Sequence, residues 1–396
     1  MTTFLVLLTG YILSQFYRSF LAVVAPELSA ELHLSATDLG YISAAWFAAF
    51  AIAQFVVGGS LDKIGPKRTV SILMLAGVAG ALLFSRAQSS GDAIVAMALI
   101  GVGCSPSLMG ALYVFARNHT PERFALLSSA MIGLGSIGNL LGGTPLALAQ
   151  QSFGWRSVFV GLAVLSLMSA LLAAAFVRDP PALPDHKQSL DESAAAGMRE
   201  IVSIPGLWPI WPLMAVGYGV LIAERGVWVG PYLSEIHGLA PVARGHIIFL
   251  MALAITAGAF AYGPIESCLR ERRKPVLVGS AIASAGLIAL WVTPQPSLAM
   301  ATTVLCVFGF AGMTYGVIMA HIRRFLPEHV LGRGMSFANF LCMGGAGLLQ
   351  IFSGAYVDQL RASGLAAHFV YARLHLALAM VLAAATLIYF WSSEKK

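Results

Sequence analysis

The stretch Gly58-Gly59-Ser60-Leu61-Asp62-Lys63-Ile64-Gly65-Pro66-Lys67-Arg68 decides how this chain is read. It is a short turn, rich in glycine and basic residues, between two apolar runs at 38–61 and 68–86. A helix needs about 20 apolar residues to cross the hydrocarbon of a bilayer, and both runs are of that order. A weaker copy of the turn, Gly263-Pro264-Ile265-Glu266 followed by Arg270, Arg272 and Arg273, stands between apolar runs in the second half. The pattern is that of a membrane protein whose plan is used twice.

Working outward, runs of the same kind fall at approximately 4–26, 92–116, 124–149 and 156–177. The second half adds 207–233, 243–265, 275–293, 298–321, 334–357 and 369–391. These predict twelve spans. The composition agrees: 58% of residues are hydrophobic and only 11% charged. Soluble domains carry roughly 25% charged residues because water must solvate their surface. Most of this surface therefore faces a bilayer. The net charge of +6 sits in short clusters between apolar runs, which points to orientation in a membrane and away from nucleic acid. Cys104, Cys268, Cys306 and Cys342 show no paired spacing and read as packing residues without a disulfide. No basic n-region precedes the first apolar run, so the first helix is expected to be retained.

The longest polar stretch, with Pro180, Pro181, Pro184, Asp185, Lys187, Asp191 and Glu192, has the make-up of a flexible linker. It divides the chain into a first six-helix half (1–177), a linker (178–205) and a second six-helix half (206–396). Of the 24 Lys and Arg, Arg18 and Arg225 lie inside spans, and Arg86, Arg156, Arg244, Arg361 and Arg373 fall on one side. The rest share the side of the linker and termini, which the positive-inside rule places in the cytoplasm. The expected location is the inner membrane of a bacterium.

The halves are an internal repeat. A shift of 205 residues lays Pro26 on Pro231, Leu28 on Leu233, Ser29 on Ser234, Gly40 on Gly245 and Gly58 on Gly263. One residue more lays Arg117 on Arg323. An even number of spans per repeat keeps both copies in the same orientation.

The turn at 58–68 resembles the signature loop of the major facilitator superfamily, Gly-x-x-x-Asp-(Arg/Lys)-x-Gly-x-(Arg/Lys)-(Arg/Lys). Gly154-Trp155-Arg156 with Phe159 is similar to that family as well. The resemblance implies an all-α membrane protein of 12 transmembrane helices in two pseudo-symmetric six-helix halves. It also implies a single-chain transporter, taken as a monomer, that binds solute near the midplane and works by alternating access. In such proteins the acid of the loop latches the gate, a role that here falls to Asp62 with Lys67, Arg68 and Arg117. Two departures stand against a drug/proton antiporter of this family. Met97 occupies the place of an Arg four residues before Gly101-Val102-Gly103, and Asn139 replaces the Pro of a Gly-Pro-x-x-Gly-Gly motif at 138–143.

Gly133-Leu134-Gly135-Ser136-Ile137-Gly138 matches a dinucleotide fingerprint but lies in an apolar helix, so it reads as close helix packing. No phosphate-binding Gly-x4-Gly-Lys-(Ser/Thr), no His-Glu-x-x-His and no Met-x3-Met pair occurs, and no cofactor or metal is expected.

Charges inside spans carry the functional reading. Arg18, Glu224 and Arg225 are expected there, and a charge at a helix centre costs about 2.5–3.5 kcal/mol on insertion scales. Such residues face a cavity or a partner. With helix ends at Pro26 and Pro231, Arg18 lies roughly 12 Å deep and Arg225 at a comparable depth. Tyr17-Arg18 and the run to Pro26 resemble span one of the superfamily's organic-anion branch, whose Arg pairs with a substrate carboxylate; the branch's Asp and Asn are absent here. Arg18 and Arg225 are thus candidate anion ligands. Tyr17, Tyr113, Asn139, His246, Tyr315 and Asn339 are candidate lining residues, and Glu224 is a candidate proton carrier. The expected function is transport of a small organic or inorganic anion with a proton. The alternatives are a proton-coupled efflux antiporter of amphipathic compounds, a transporter-like sensor or assembly factor, and a membrane-embedded enzyme. The last needs a cluster of His, Asp or Glu at a membrane face, which the sequence does not offer.

Overall fold

A computed structural model describes residues 2–179, 194–327 and 330–393. Regular structure among them is helical throughout. The first repeat holds α1 (Thr2–Tyr17), α2 (Leu21–Leu32), α3 (Ala36–Lys63), α4 (Gly65–Ser85), α5 (Ser90–Cys104), α6 (Pro106–Asn118), α7 (Pro121–Gly135), α8 (Ile137–Leu141) and α9 (Thr144–Phe176). After α10 (Ala194–Ser203) come α11 (Trp211–Ala223), a π turn at Glu224–Trp228, α12 (Val229–His237) and α13 (Pro241–Leu269). The chain closes with α14 (Arg273–Val292), α15 (Leu298–Ala311), α16 (Tyr315–Arg323), α17 (Leu331–Ala362) and α18 (Ala367–Tyr389). Of the expected linker, 180–193 lies outside the described residues, as does Glu328.

Among the described residues eleven helical stretches are long and apolar enough to span a membrane, and the bent pair α1–α2 makes twelve. Helices suit this setting because every backbone group finds its partner within the segment, where no water can supply one. Their ends are marked by local chemistry. Ser35 and Asp38 form a reciprocal capping box at the start of α3, and Ser89 and Ser297 cap α5 and α15 by accepting from backbone N–H groups. The helix α9 turns over at Gly154 (φ 74°, ψ 154°), so its first residues finish span 5 and the rest form span 6. Phe55, Leu126, Leu171, Phe352 and Leu387 are each more than half exposed, as side chains that face lipid must be.

Packing divides the chain into two compact units. One is Met1–Ala182 with Gly226–Phe249, and the other is Leu183–Arg225 with Leu250–Lys396. In the first, Leu7, Tyr11, Met74, Phe115 and Met131 form a buried core between α1, α4, α6 and α7. In the second, α11 packs along α17 and α14 along α18.

One expectation is corrected. Span 1 does not end at Pro26: the chain breaks at residues 18–20 with a bend of 51°, and α2 then runs through Pro26 to Leu32. Proline's fixed φ suits a helix, and its missing N–H leaves only the carbonyl four residues back without its intrahelical donor. That carbonyl is Ala22, and Gly230 of α12 packs on it so closely that a methyl group at 230 would overlap the oxygen. The proline thus creates a helix crossing in place of a helix end. α12 likewise continues past Pro231 to His237. Arg18 is therefore about 21 Å of helix from Leu32, and Arg225 about 18 Å from His237, both deeper than the sequence suggests.

Candidate solute and proton sites

Arg18 sits at the break of span 1, half-buried. Its guanidinium carbon lies 5.0 Å from the ring centre of Trp46 and 5.6 Å from that of Phe50. Both rings come from α3, one turn apart, and stack on each other at 4.9 Å. A cation over aromatic faces is stabilised by the ring quadrupoles. Tyr17, the preceding residue, points elsewhere: it is buried and its hydroxyl is 3.1 Å from Ser166 Oγ in span 6. Asn139 lies on α8, which packs along α1. The glycines of 133–143 make that contact possible; a side chain at Gly138 would strike the backbone of Ile12, as the helix-packing reading requires.

In the second unit, Glu224 and Arg225 begin the π turn and are 0% and 2% exposed. A π turn widens one helical turn and re-aims its side chains, and such turns are frequent at functional sites. Glu224 Oε1 is 3.3 Å from His375 Nε2 on α18, and His375 is also fully buried. The other carboxylate oxygen, Oε2, has no hydrogen-bond partner among the described residues. A carboxyl and an imidazole in contact can hydrogen-bond whichever of them carries the proton. Sequence reading missed His375, a lone histidine in an apolar run. Below this pair the Tyr315 hydroxyl donates to Asn339 Oδ1 at 3.1 Å, and the Tyr315 ring lies 5.7 Å from that of Tyr218. These three half-buried side chains bring spans 7, 10 and 11 together; Tyr218 is a further residue that the sequence did not single out.

The loop at 58–68 has its own geometry. Gly65 takes φ +82°, and a side chain there would collide with the carboxylate of Asp179. Asp179 Oδ1 accepts the backbone N–H of Lys67 at 2.8 Å, so the acid that holds the first turn of α4 comes from just beyond span 6. A carboxylate at a helix N-terminus satisfies an orphan donor and the helix dipole. Asp62 is exposed and within hydrogen-bonding reach of Tyr113, whose ring lies 5.7 Å from the Arg117 guanidinium. Tyr113 thus joins the loop cluster of Asp62 and Arg117 at this end of span 4. Arg68 is exposed on α4.

At the opposite ends of the spans, the Arg244 guanidinium, 3% exposed, donates to the Glu27 carboxylate and to Ser234 Oγ. His246 is exposed, with Nδ1 3.0 Å from Thr144 Oγ1. Glu31 accepts from both Trp155 Nε1 at 2.6 Å and Arg156 Nε at 2.9 Å, which gives Gly154-Trp155-Arg156 a structural role. Arg244 and His246 belong to the segment that packs with the first repeat, so these contacts tie spans 7 and 8 to spans 1 and 5.

Known proteins share this plan. The hexuronate transporter of Bacillus subtilis strain 168 is 24% identical, over 86% of this chain and 84% of its own. The gentisate transporter of Corynebacterium glutamicum is 25% identical, over 85% of this chain and 75% of its own. A crystal structure of a bacterial homologue of the human lysosomal transporter Spinster is similar with a TM-score of 0.80 at 20% identity, covering 98% of this chain and 96% of that one. A sequence profile of the Major Facilitator Superfamily matches residues 7–350, and the chain, a multi-pass membrane transporter, belongs to that superfamily.

Proposed function

We propose that the protein imports a small organic anion, a monocarboxylate by preference, together with a proton and by alternating access. The observation that carries this reading is Arg18: a partly exposed guanidinium at a helix break deep in span 1, supported on the faces of Trp46 and Phe50. A guanidinium in this place can meet a carboxylate with two parallel hydrogen bonds. The relatives named above transport hexuronate and gentisate, each an acid bearing one carboxylate. Arg18 is thus assigned the substrate, Glu224 with His375 the proton, and Tyr218, Tyr315 and Asn339 hydroxyl groups or rings of the solute. Asp62, Tyr113, Arg117, Lys67, Arg68 and Asp179 are assigned the gate on the side of the linker.

The test is a melting-temperature screen of purified protein against uronates, gentisate and other monocarboxylates, each beside its uncharged amide or alcohol analogue. Stabilisation by at least one acid and by none of the neutral analogues is the expected result. Equal stabilisation by acid and neutral analogue would reject the anion reading. We also propose that both termini and the linker face the cytoplasm of a bacterial inner membrane. In intact cells an impermeant maleimide should then modify a cysteine at Ser35 and spare one at Ser189, in a background without the native four.

A further inference from the structure

Between α13, α14 and α15 of the second unit lies an open crevice of about 620 Å³. Its walls are apolar: Ile265 and Leu269, Val278 and Ile282, and Val307 and Phe310 line it, each at least a third exposed. Its floor is closed by Tyr262, whose hydroxyl donates to the Ala311 carbonyl at 2.5 Å and packs against Gly279. From Lys274 at one end to Ile282 along α14, the crevice runs about 12 Å, close to the roughly 15 Å of one hydrocarbon leaflet. Lys274 is the one charged side chain among the lining residues.

That end is strongly basic. Arg270, Arg272, Arg273 and Lys274 follow one another around the turn from α13 to α14. Glu266 pairs with Arg272 at 2.6 Å, and Glu271 with Lys274 at 2.6 Å. Arg273 lies over the Phe390 ring at 4.6 Å and donates to the Phe390 carbonyl. Arg270 and Lys274 are exposed, the latter by 70% of its side chain. An ion pair this exposed is weak and exchanges readily for another anion.

An apolar slot about 12 Å long with exposed Arg270 and Lys274 at its end matches one kind of molecule. We infer that this crevice binds an anionic phospholipid of the leaflet facing the linker side, its acyl chain along α14 and α15 and its phosphate at Lys274 and Arg270. A single basic residue near a membrane surface favours an anionic lipid by about fivefold. The site shares no residue with those assigned to the solute or the proton and does not depend on what the protein transports.

Cys306 lines the crevice and serves as the reporter. With Cys104, Cys268 and Cys342 replaced by alanine, Cys306 is labelled with a bimane maleimide and the protein is reconstituted into phosphatidylcholine–phosphatidylglycerol vesicles. In one preparation the phosphatidylglycerol carries brominated acyl chains, and in the other the phosphatidylcholine does, at equal mole fraction. Brominated phosphatidylglycerol should quench with about fivefold preference. The preference should vanish in the Lys274→Gln, Arg270→Gln double variant, whose sites are exposed and do not support the fold. Val278→Trp, which fills the slot from the lipid side, should weaken quenching by both lipids. A label at Leu171→Cys, on the exposed face of span 6, should show no preference. Equal quenching by the two lipids at Cys306, a preference that survives the double variant, an equal preference at Leu171→Cys, or quenching unmoved by Val278→Trp would overturn the assignment.

Discussion

Spans 1 and 7 occupy equivalent places in the repeat, with Pro26 on Pro231, and each carries its charge where the helix is irregular. They solve the problem of an ion in the membrane differently. Span 1 gives up the helix over residues 18–20, bends by 51°, and leaves Arg18 half-buried on two aromatic faces. Span 7 keeps its helix, widens one turn into a π turn, and buries Glu224 and Arg225 almost completely, with His375 against the carboxylate. A ring face lowers the cost of holding a cation away from water. A sealed carboxylate–imidazole pair offers nothing to a solute of any size, yet can hold or pass a proton. Equivalent spans of the two halves thus hold one charge half-buried and the other enclosed.

The sharpest way to break this contrast is at Glu224. Glu224→Gln keeps the shape and a hydrogen-bond acceptor toward His375 but cannot release a proton. In vesicles with an imposed pH gradient, uphill accumulation of the identified acid should be abolished, while exchange of labelled for unlabelled acid across the membrane continues. Accumulation in the Gln variant equal to wild type, with the same pH dependence, would remove Glu224 and His375 from coupling. The pair would then be a buried strut. Such pairs cost more to break than they stabilise when intact, so loss of expression alone would not count as loss of coupling.

The twelve spans, the repeat and the basic turn were legible because hydrophobic length and charge placement are one-dimensional signals. The break in span 1 was not. Ser19 and Phe20 carry no helix-breaking chemistry, and the visible breaker, Pro26, acts elsewhere by freeing the Ala22 carbonyl for the approach of Gly230. His375 escaped notice because a census of formal charges passes over a residue that is neutral when alone. Asp179 lies 112 residues from Lys67, and nothing local shows that it, and not Asp62, holds the first turn of α4. Tyr113 illustrates the same limit: its helical spacing gives Arg117, four residues on, as a neighbour, whereas only the fold adds Asp62.

Arg18 is the other side of the comparison, and its expected effect is smaller because charge can be kept while geometry is lost. Arg18→Lys retains the cation, and an ammonium also sits over Trp46 and Phe50. What it lacks is the rigid plane that gives a carboxylate two parallel bonds. One charge-assisted hydrogen bond is worth about 1.5–3 kcal/mol, so affinity for the acid should fall roughly 10- to 150-fold with little change in melting temperature. Phe50→Leu keeps the guanidinium and removes one of its two ring faces, a loss of about 0.5–1 kcal/mol, or roughly two- to fivefold in affinity. The measurement is calorimetric binding of the acid found in the screen to wild-type, Arg18→Lys and Phe50→Leu protein, beside their melting curves. A graded loss in that order places the guanidinium fork on the substrate and the rings beneath it. Equal affinity in all three, with only the melting temperatures falling, would make Arg18 a structural strut. The anion reading would then lose the observation that carries it.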